Sequence, residues 1–153
     1  MRIVIAADHN GVTMKARLIA WFRERGHDVD DRGTHSDAEV DYPGLCADVG
    51  RAVADRRADM GVVVGGSGQG EVIACNKVTG VRAGLCHTRF ATEISRGNND
   101  ANVLVLGAKV ISPEEAVSIA ETWLATPFKG GRHQRRLDQI AALERGETPS
   151  LRA

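Results

Sequence analysis

One segment, residues 60–77, constrains the fold more than any other part of this sequence. It reads MGVVVGGSGQGEVIACNK: a Val-rich run is followed by a glycine loop and then by a helix-compatible stretch that opens at Glu71. This order is typical of a buried strand, a turn with outward-pointing N–H groups and a helix N-terminus that favours negative charge. We therefore predict an oxyanion site with Glu71 beside a row of donors. The pattern is equally typical of an acid that stabilises a helix start, and both interpretations stay open.

Apolar runs and amphipathic stretches alternate along the whole chain, which predicts the α/β class with right-handed crossovers. We expect a single-domain, Rossmann-like (flavodoxin-like) five-stranded parallel sheet with helices on both faces, formed by residues 1–145 and followed by a tail at 146–153. The expected strand order is 2-1-3-4-5, so that the loops after strands 1 and 3 meet at the switch point. The predicted strands are 2–6, 27–32, 61–64, 81–85 and 103–106, and the predicted helices are 12–25, one starting at Pro43, 71–77, 88–96, one capped by Ser112, Pro113 and Glu115, and 132–145.

Two local expectations accompany this scheme. In the first helix, Met14, Leu18 and Phe22 fall at helical spacing and face the core, while Lys15 is expected to face solvent. After the fourth helix, residues 97–100 (Gly-Asn-Asn-Asp) are expected to form a polar turn.

The charge balance and the cysteine pattern exclude several classes of protein. Among 153 residues, Lys plus Arg and Asp plus Glu each number 20, so the chain lacks the basic excess of a general nucleic-acid binder. No apolar run approaches the length of a membrane span, and the first residues lack the pattern of a signal peptide. The 3 cysteines are an odd number without CxxC spacing. We expect reduced thiols in a cytoplasmic protein.

Three chemistries compete for the crevice at the switch point. A dinucleotide site needs its glycine fingerprint after strand 1 and an acid at the end of the next strand, whereas the glycines here follow strand 3. A phospho-accepting receiver could use Asp8 and Lys109, but its acceptor aspartate would have to stand where Gly65 is. The third candidate is proton-transfer isomerisation of a sugar phosphate, with Glu71 as base and the loop as oxyanion hole.

Cations for such a phosphate are available in the last helix. Arg132 and Arg136 are four residues apart, which places them on one helical face, where they could hold a phosphate in fork geometry, directly or in a partner chain's site. Taken alone, this basic run is also typical of a solvated helix face.

Together these residues resemble the type B ribose-5-phosphate isomerase family, which includes galactose-6-phosphate isomerase subunits. The resemblance extends to about Glu144, and the ordered set is more specific than any single motif. The matching pieces are Ala7-Asp8-His9 with Gly11, Asp41-Tyr42-Pro43, Gly66-Ser67-Gly68-x-Gly70-Glu71, Ile73-Ala74-x-Asn76-Lys77, Arg96-x-x-Asn99-Asp100-x-Asn102 and Arg132-His133-Gln134-x-Arg136.

The resemblance implies an aldose–ketose isomerase that works through a cis-enediolate without cofactor or metal. It also implies a homodimer, sometimes a tetramer, with active sites shared between chains. Glu71 would be the base that moves the proton between C1 and C2; members with a cysteine base carry it at the position of Gly65. The resemblance further implies that Ser67 and the N–H groups of residues 66–70 (Gly66, Gly68 and Gly70 among them) hold the enediolate oxygen. Asp8 and Tyr42 would bind sugar hydroxyl groups, and Asn99 would stabilise the developing charge. The phosphate would be bound by His9, Arg132 and Arg136.

Two positions depart from the family pattern. Asn98 stands where ribose-5-phosphate isomerases of this type usually carry a ring-opening histidine, and a neutral amide is no general acid–base. Lys109 stands where they usually carry a phosphate-binding arginine, and a lysine binds phosphate only as a point charge. An aldotetrose 4-phosphate cannot close a furanose, so an erythrose-4-phosphate isomerase could lack the histidine. Alternatively His87, His9 or water opens the ring, or the enzyme slowly converts the small open-chain fraction of a pentose phosphate.

Overall fold

The computed structural model describes residues 1–149 and arranges them as a five-stranded parallel sheet with helices on both faces. The fold class predicted from the alternating pattern is confirmed. Part of the predicted tail, residues 150–153, lies outside the described residues. The elements in chain order are β1 (Arg2–Ala7), α1 (Val12–Glu24), β2 (Asp28–Asp31), α2 (Tyr42–Ala54), β3 (Met60–Gly65), α3 (Gln69–Cys75), β4 (Ala83–Leu85), α4 (Arg89–Asn99), β5 (Val103–Gly107), α5 (Pro113–Ala125) and α6 (Arg132–Glu144).

The strand order is β2-β1-β3-β5-β4, so the predicted order 2-1-3-4-5 is wrong in its last two positions. β5 pairs with β3 and is buried along its whole length, whereas β4 has three half-buried residues. An apolar strand such as VLVLG is stable inside the sheet, where it has a neighbouring strand on each side and helices on both faces, while a short strand suits the edge. This order brings the end of β5, rather than that of β4, next to the end of β3.

Two apolar layers hold the helices against the sheet. Side chains of α1 and α5 pack on one face with alternate residues of β1, β3 and β5, and side chains of α2 and α3 pack on the other. α4 lies beside α5, and α6 packs against α4 near the edge strand β4. Within residues 1–149, none of the helices combines the length and apolar character that crossing a membrane requires.

Lys15 is buried, so the prediction that it faces solvent is wrong. Its residue is 2% exposed, and its ammonium group pairs with the Asp31 carboxylate at the end of β2. Since α1 packs against β2, a long side chain on this helix face reaches the strand end. The Gly33 N–H donates to the same Asp31 carboxylate at 3.0 Å, so the pair also holds the chain that leaves β2.

α4 is longer than expected, and the predicted polar turn at residues 97–100 is wrong. The helix continues to Asn99, and Asp100 takes the left-handed conformation at its C-cap, with φ of 43°. The Arg96 guanidinium donates to the Asp100 carboxylate at 2.9 Å and to the Ala101 carbonyl at 2.7 Å, and these bonds hold the helix end in place. Asn98 and Asn99 are therefore helical residues. The predicted cap of α5 is confirmed, since Ser112 and Glu115 form a capping box.

Candidate active site

Three strand ends meet at the carboxyl edge of the sheet and form one crevice. Asp8 follows β1, residues 66–68 form the glycine loop between β3 and α3, and Lys109 follows β5. The Asp8 N–H donates to the Val64 carbonyl at 3.1 Å, and the Lys109 N–H donates to the Gly66 carbonyl at 2.9 Å. Backbone hydrogen bonds thus fix the three ends relative to one another.

Glu71 is fixed at the floor of this crevice, in the first turn of α3. The residue is 4% exposed, and its carboxylate lies directly against the backbone of Gly65. A Cβ built on Gly65 would overlap Oε1 and the carboxyl carbon of Glu71 and would lie 2.7 Å from Oε2. Only glycine leaves this space free, so the carboxylate has one defined place beside the loop.

The surroundings of Glu71 suit a proton acceptor. Burial raises the pKa of Glu71 above its usual value, and the negative charge of Asp8 acts in the same direction. The backbone N–H groups of Glu71 and Gly68 oppose this shift because they donate to the charged carboxylate. The net pKa is raised, and a carboxylate with a raised pKa takes up a proton more readily near neutral pH.

The glycine loop turns sharply into α3 at Gly68. This residue has φ of 79°, which favours glycine, and a Cβ there would overlap the Leu85 side chain. Ser67 is exposed at the tip, and its hydroxyl oxygen accepts a hydrogen bond from the Gln69 N–H at 3.3 Å. Consecutive backbone N–H groups in such a turn can stabilise an oxyanion.

Tyr42 lies on the other side of the α3 start. It is the first residue of α2, and its hydroxyl group lies directly against Gly70. Since Glu71 follows Gly70, the phenol is close to the proposed base. The structure therefore brings this predicted site residue to the crevice.

Asp8, His9 and Asn10 form one polar network beside the loop. The Asn10 N–H donates to Asp8 Oδ1 at 2.8 Å, and the Asn10 side-chain amide contacts Asp8 Oδ2 at 3.1 Å and His9 Nε2 at 3.2 Å. A Cβ on Gly66 would lie 3.3 Å from Asn10 Nδ2 and 3.6 Å from Lys109 Cδ, so these two side chains flank the loop. Asn10 was not predicted as a site residue. The signal that could have found it is its place two residues after Asp8, a spacing typical of an Asx turn.

The thiols below the crevice are buried packing groups. Cys46, Cys75 and Cys86 are all buried and free. The hydrogen bond with Cys75 is the largest cause of the raised pKa of Cys46, followed by burial. A thiol with a raised pKa stays protonated and is a poor nucleophile.

His87 stands at the same sheet edge and is half-buried. Its Nε2 atom is buried and has no hydrogen-bond partner within residues 1–149, and burial lowers the pKa of its imidazole. A Cβ on Gly107 would lie 2.9 Å from this atom, which places the ring beside the end of β5. The lowered pKa favours the neutral form of the imidazole, and its Nε2 is closed to solvent.

The other predicted site residues lie at the opposite edge of the sheet. α4 starts at the carboxyl edge and runs back for 11 residues, a rise of about 16 Å, so Asn98 and Asn99 are at its far end. The carbonyl of Asn99 accepts from Arg82, which stands just before β4. Arg132 and Arg136 are exposed on α6, which packs against α4. Within one chain the structure does not bring these four predicted residues to Glu71.

Comparisons with known proteins match this architecture along nearly the whole chain. The family model described as Ribose/Galactose Isomerase matches residues 3–140. Ribose-5-phosphate isomerase B of Escherichia coli (strain K12) is 40% identical over 143 residues, which cover 94% of this chain and 96% of that protein. A structure of ribose-5-phosphate isomerase B from Clostridium thermocellum has a TM-score of 0.94 at 40% identity, covering 95% of this chain and 99% of the other. The Mycoplasma genitalium ribose-5-phosphate isomerase B structure with bound ribulose-5-phosphate has a TM-score of 0.91 at 35% identity, covering 94% and 96%.

The fold and the crevice define a Rossmann-like α/β enzyme with a buried carboxylate beside a glycine loop. With the matches above, the chain belongs to the ribose/galactose isomerase family and is an aldose–ketose isomerase. The resemblance read from the sequence motifs is thereby confirmed. The receiver interpretation is wrong, because its acceptor position is Gly65 and the chain is an isomerase.

Proposed function

We propose that this chain interconverts ribose 5-phosphate and ribulose 5-phosphate by proton transfer through a cis-enediolate. One observation carries this proposal: the buried Glu71 carboxylate lies against Gly65 at the start of the glycine loop. A base and a row of backbone donors then face the same small volume, as proton transfer next to a carbonyl requires. The ligand named with the Mycoplasma genitalium relative, ribulose-5-phosphate, supports the pentose phosphate as substrate.

The side chains of the crevice and those at the opposite edge of the sheet divide the roles in this proposal. Glu71 moves the proton between C1 and C2, while Ser67 and the N–H groups of residues 66–70 hold the enediolate oxygen. Asp8 and Tyr42 bind sugar hydroxyl groups. The phosphate is bound by His9, Lys109, Arg132 and Arg136, and Asn99 stabilises the developing charge.

The contact between Gly65 and Glu71 supports the assignment of the base. The resemblance distinguishes members whose base is a cysteine at the position of Gly65 from members that use a glutamate at the position of Glu71. In this chain the carboxylate occupies the space into which a side chain at residue 65 would project. The two bases would therefore compete for one volume, and this chain has the glutamate arrangement.

We also propose that the active enzyme is a homodimer, with tetramers as a further assembly. The crevice with Glu71 is at the carboxyl edge of the sheet, whereas Asn99, Arg132 and Arg136 are at the other end of the same chain. A two-fold axis that sets one end of each chain against the opposite end of its partner would complete two sites at once. Sedimentation velocity combined with activity at matched dilution tests this, because a fully active monomer would contradict shared sites.

Substitution of Glu71 tests the proposed reaction directly. Glu71→Gln keeps the size of the side chain but removes the proton acceptor, and we expect kcat for ribose 5-phosphate to fall by at least about 100-fold. Glu24→Gln is the matched control, since Glu24 is an exposed carboxylate at the last residue of α1. Normal kcat in the Glu71 variant would remove it as the base.

A second candidate substrate is favoured by Asn98. Because an aldotetrose 4-phosphate has no free 4-hydroxyl group, it forms no furanose and needs no ring-opening acid, so erythrose 4-phosphate/erythrulose 4-phosphate isomerisation fits this residue. The test compares kcat/KM for ribose 5-phosphate and D-erythrose 4-phosphate, with and without Asn98→His. A higher kcat/KM for the tetrose phosphate, together with recovery of activity on ribose 5-phosphate in Asn98→His, would establish the tetrose phosphate as the substrate.

A cytoplasmic location and the absence of a nucleic-acid partner stay predictions.

A further inference from the structure

Lys129 is held against the end of α4 by two hydrogen bonds. Its backbone N–H donates to the Gly97 carbonyl at 2.9 Å, and its ammonium group donates to the Asn98 side-chain oxygen at 3.0 Å. A Cβ on Gly97 would lie 3.1 Å from Lys129 Cε, tighter than ordinary contacts, so the glycine leaves room for the lysine stem. The ammonium group of this lysine is therefore directed to one place beside Asn98.

The same place is rich in positive charge. Burial is the largest cause of the lowered pKa of His133, and the positive charges of Arg132, Arg136 and Lys129 lower it further. These three cations therefore lie close enough together to act on one imidazole. Within residues 1–149, none of the three has a carboxylate within salt-bridge distance.

Nearby acids leave this positive charge largely uncompensated. Asp100, the acid next to Asn98 and Asn99, is already paired with Arg82 and Arg96. Glu93 and Glu121 line the groove between α4 and α5 that also contains Lys129, at more than salt-bridge distance from it. Cations grouped without a salt-bridge partner attract anions, which makes this place a candidate phosphate site.

We propose that Lys129, oriented by Asn98, binds the phosphate group of the substrate together with the arginines of α6. This inference rests on the proposed function and adds a residue to which neither the family motifs nor the comparisons assign a role. It also explains what Asn98 does, since its amide oxygen positions an ammonium group, which a protonated histidine at that place could not do. Asn98 is a positioning residue in this arrangement, and Lys129 touches the ligand.

Charge removal at Lys129 is the first test. Lys129→Met keeps the stem and removes the ammonium group, and we expect KM for the sugar phosphate to rise about 10-fold with kcat nearly unchanged, because ground-state binding is lost. Competitive inhibition by inorganic phosphate should weaken by a similar factor, and the salt dependence of KM should become shallower. Arg135→Met is the matched control, since it removes one exposed positive charge from the neighbouring helix α6 and should leave KM within about twofold.

Two variants of Asn98 test the positioning role. Asn98→Asp adds a carboxylate of the same shape beside Lys129, which neutralises the ammonium group, and KM should rise at least as much as in Lys129→Met. Asn98→Ala removes the acceptor but leaves the charge, so an intermediate KM is expected. Combining Asn98→Asp with Lys129→Met should give less than the product of the single effects, because both act on the same contact.

Separate outcomes would contradict this inference and the proposed function. If the unaltered protein isomerises neither ribose 5-phosphate nor D-erythrose 4-phosphate, the proposed function fails, while calorimetric titration with inorganic phosphate still tests Lys129. If the protein is active but Lys129→Met leaves KM and phosphate inhibition unchanged, the inference fails. A drop in kcat with unchanged KM would also overturn it, since it would assign Lys129 to the chemical step. Thermal unfolding of each variant confirms that the fold is intact.

Discussion

The contact between Gly65 and Glu71 predicts a large effect from one methyl group. In Gly65→Ala the new Cβ would overlap the Glu71 carboxylate, whose Oε2 would be only 2.7 Å away. Ordinary van der Waals contact needs about 3.5 Å or more, and Oε1 and the carboxyl carbon are closer to the new Cβ than Oε2 is, so the carboxylate has to shift by more than about 1 Å. A displacement of that size in a reacting group costs about 100-fold in rate, or about 2.7 kcal/mol of transition-state stabilisation.

The assay is kcat/KM for the sugar phosphate together with thermal unfolding. Gly44→Ala is the control, because a Cβ there meets nothing within 4 Å and the residue lies in the helix α2. That variant should keep full activity and gain up to about 1 kcal/mol of stability. We expect Gly65→Ala to lose about 100-fold in kcat/KM while its unfolding temperature changes only slightly.

A double-mutant cycle separates displacement of the carboxylate from other effects of the alanine. In a Glu71→Gln background the base is already absent, so adding Gly65→Ala should lower the residual rate little further. Two results would contradict the displacement: normal kcat/KM in folded Gly65→Ala, or a loss that is the same in both backgrounds. Either would mean that the alanine does not act through the carboxylate of Glu71.

The charges of the structure support three further predictions. Because the pKa of Glu71 is raised in the folded state, its charged form destabilises the fold, and Glu71→Gln should raise Tm at neutral pH. This gain in Tm should vanish below the unfolded-state pKa of Glu71, where both proteins are uncharged at this position. An unchanged Tm difference from acid to neutral pH would contradict this. Lys15→Met removes the ammonium partner of Asp31, which keeps its contacts with the Gly33 N–H and with His35, and should cost about 2 kcal/mol in urea unfolding. A neutral result would mean that the pair does not contribute to stability. Arg136→Ala should mainly raise KM, and a fall in kcat alone would remove Arg136 from phosphate binding.

The pKa of Asp31 adds a second pH dependence of opposite sign. Burial alone would raise it, but hydrogen bonds from Lys15 and from the Gly33 N–H outweigh burial and lower the net value. A lowered folded-state pKa contributes stability above the unfolded-state value, and this contribution is lost as the pH falls through the folded-state value. The Lys15→Met deficit should therefore shrink in acid, and a deficit in urea unfolding that stays constant with pH would contradict the pairing.

Sequence periodicity determined the elements of this protein and much of its crevice. The alternation of apolar runs and amphipathic stretches predicts every strand and helix, and loops that follow parallel strands must emerge at one edge. The sequence alone therefore assigns Asp8 and Glu71 to one crevice. The glycines of residues 66–70 indicated a loop with free N–H groups, because glycine adopts the tight turns that expose them.

Tertiary packing decided the strand order, the burial of single side chains and the separation of site residues, none of which is encoded in sequence periodicity. Strand order depends on how much surface each strand buries, so β5 rather than the short β4 lies beside β3, and this places Lys109 at the glycine loop. The burial of Lys15 depends on Asp31, which is remote in sequence. The contact of Glu71 with Gly65 depends on the angle of the turn between them. The separation of Glu71 from Asn99 and Arg136 arises because a helix returns the chain to the opposite edge of the sheet. Local patterns identify the residues of a site, but only the three-dimensional arrangement shows which of them one chain can bring together.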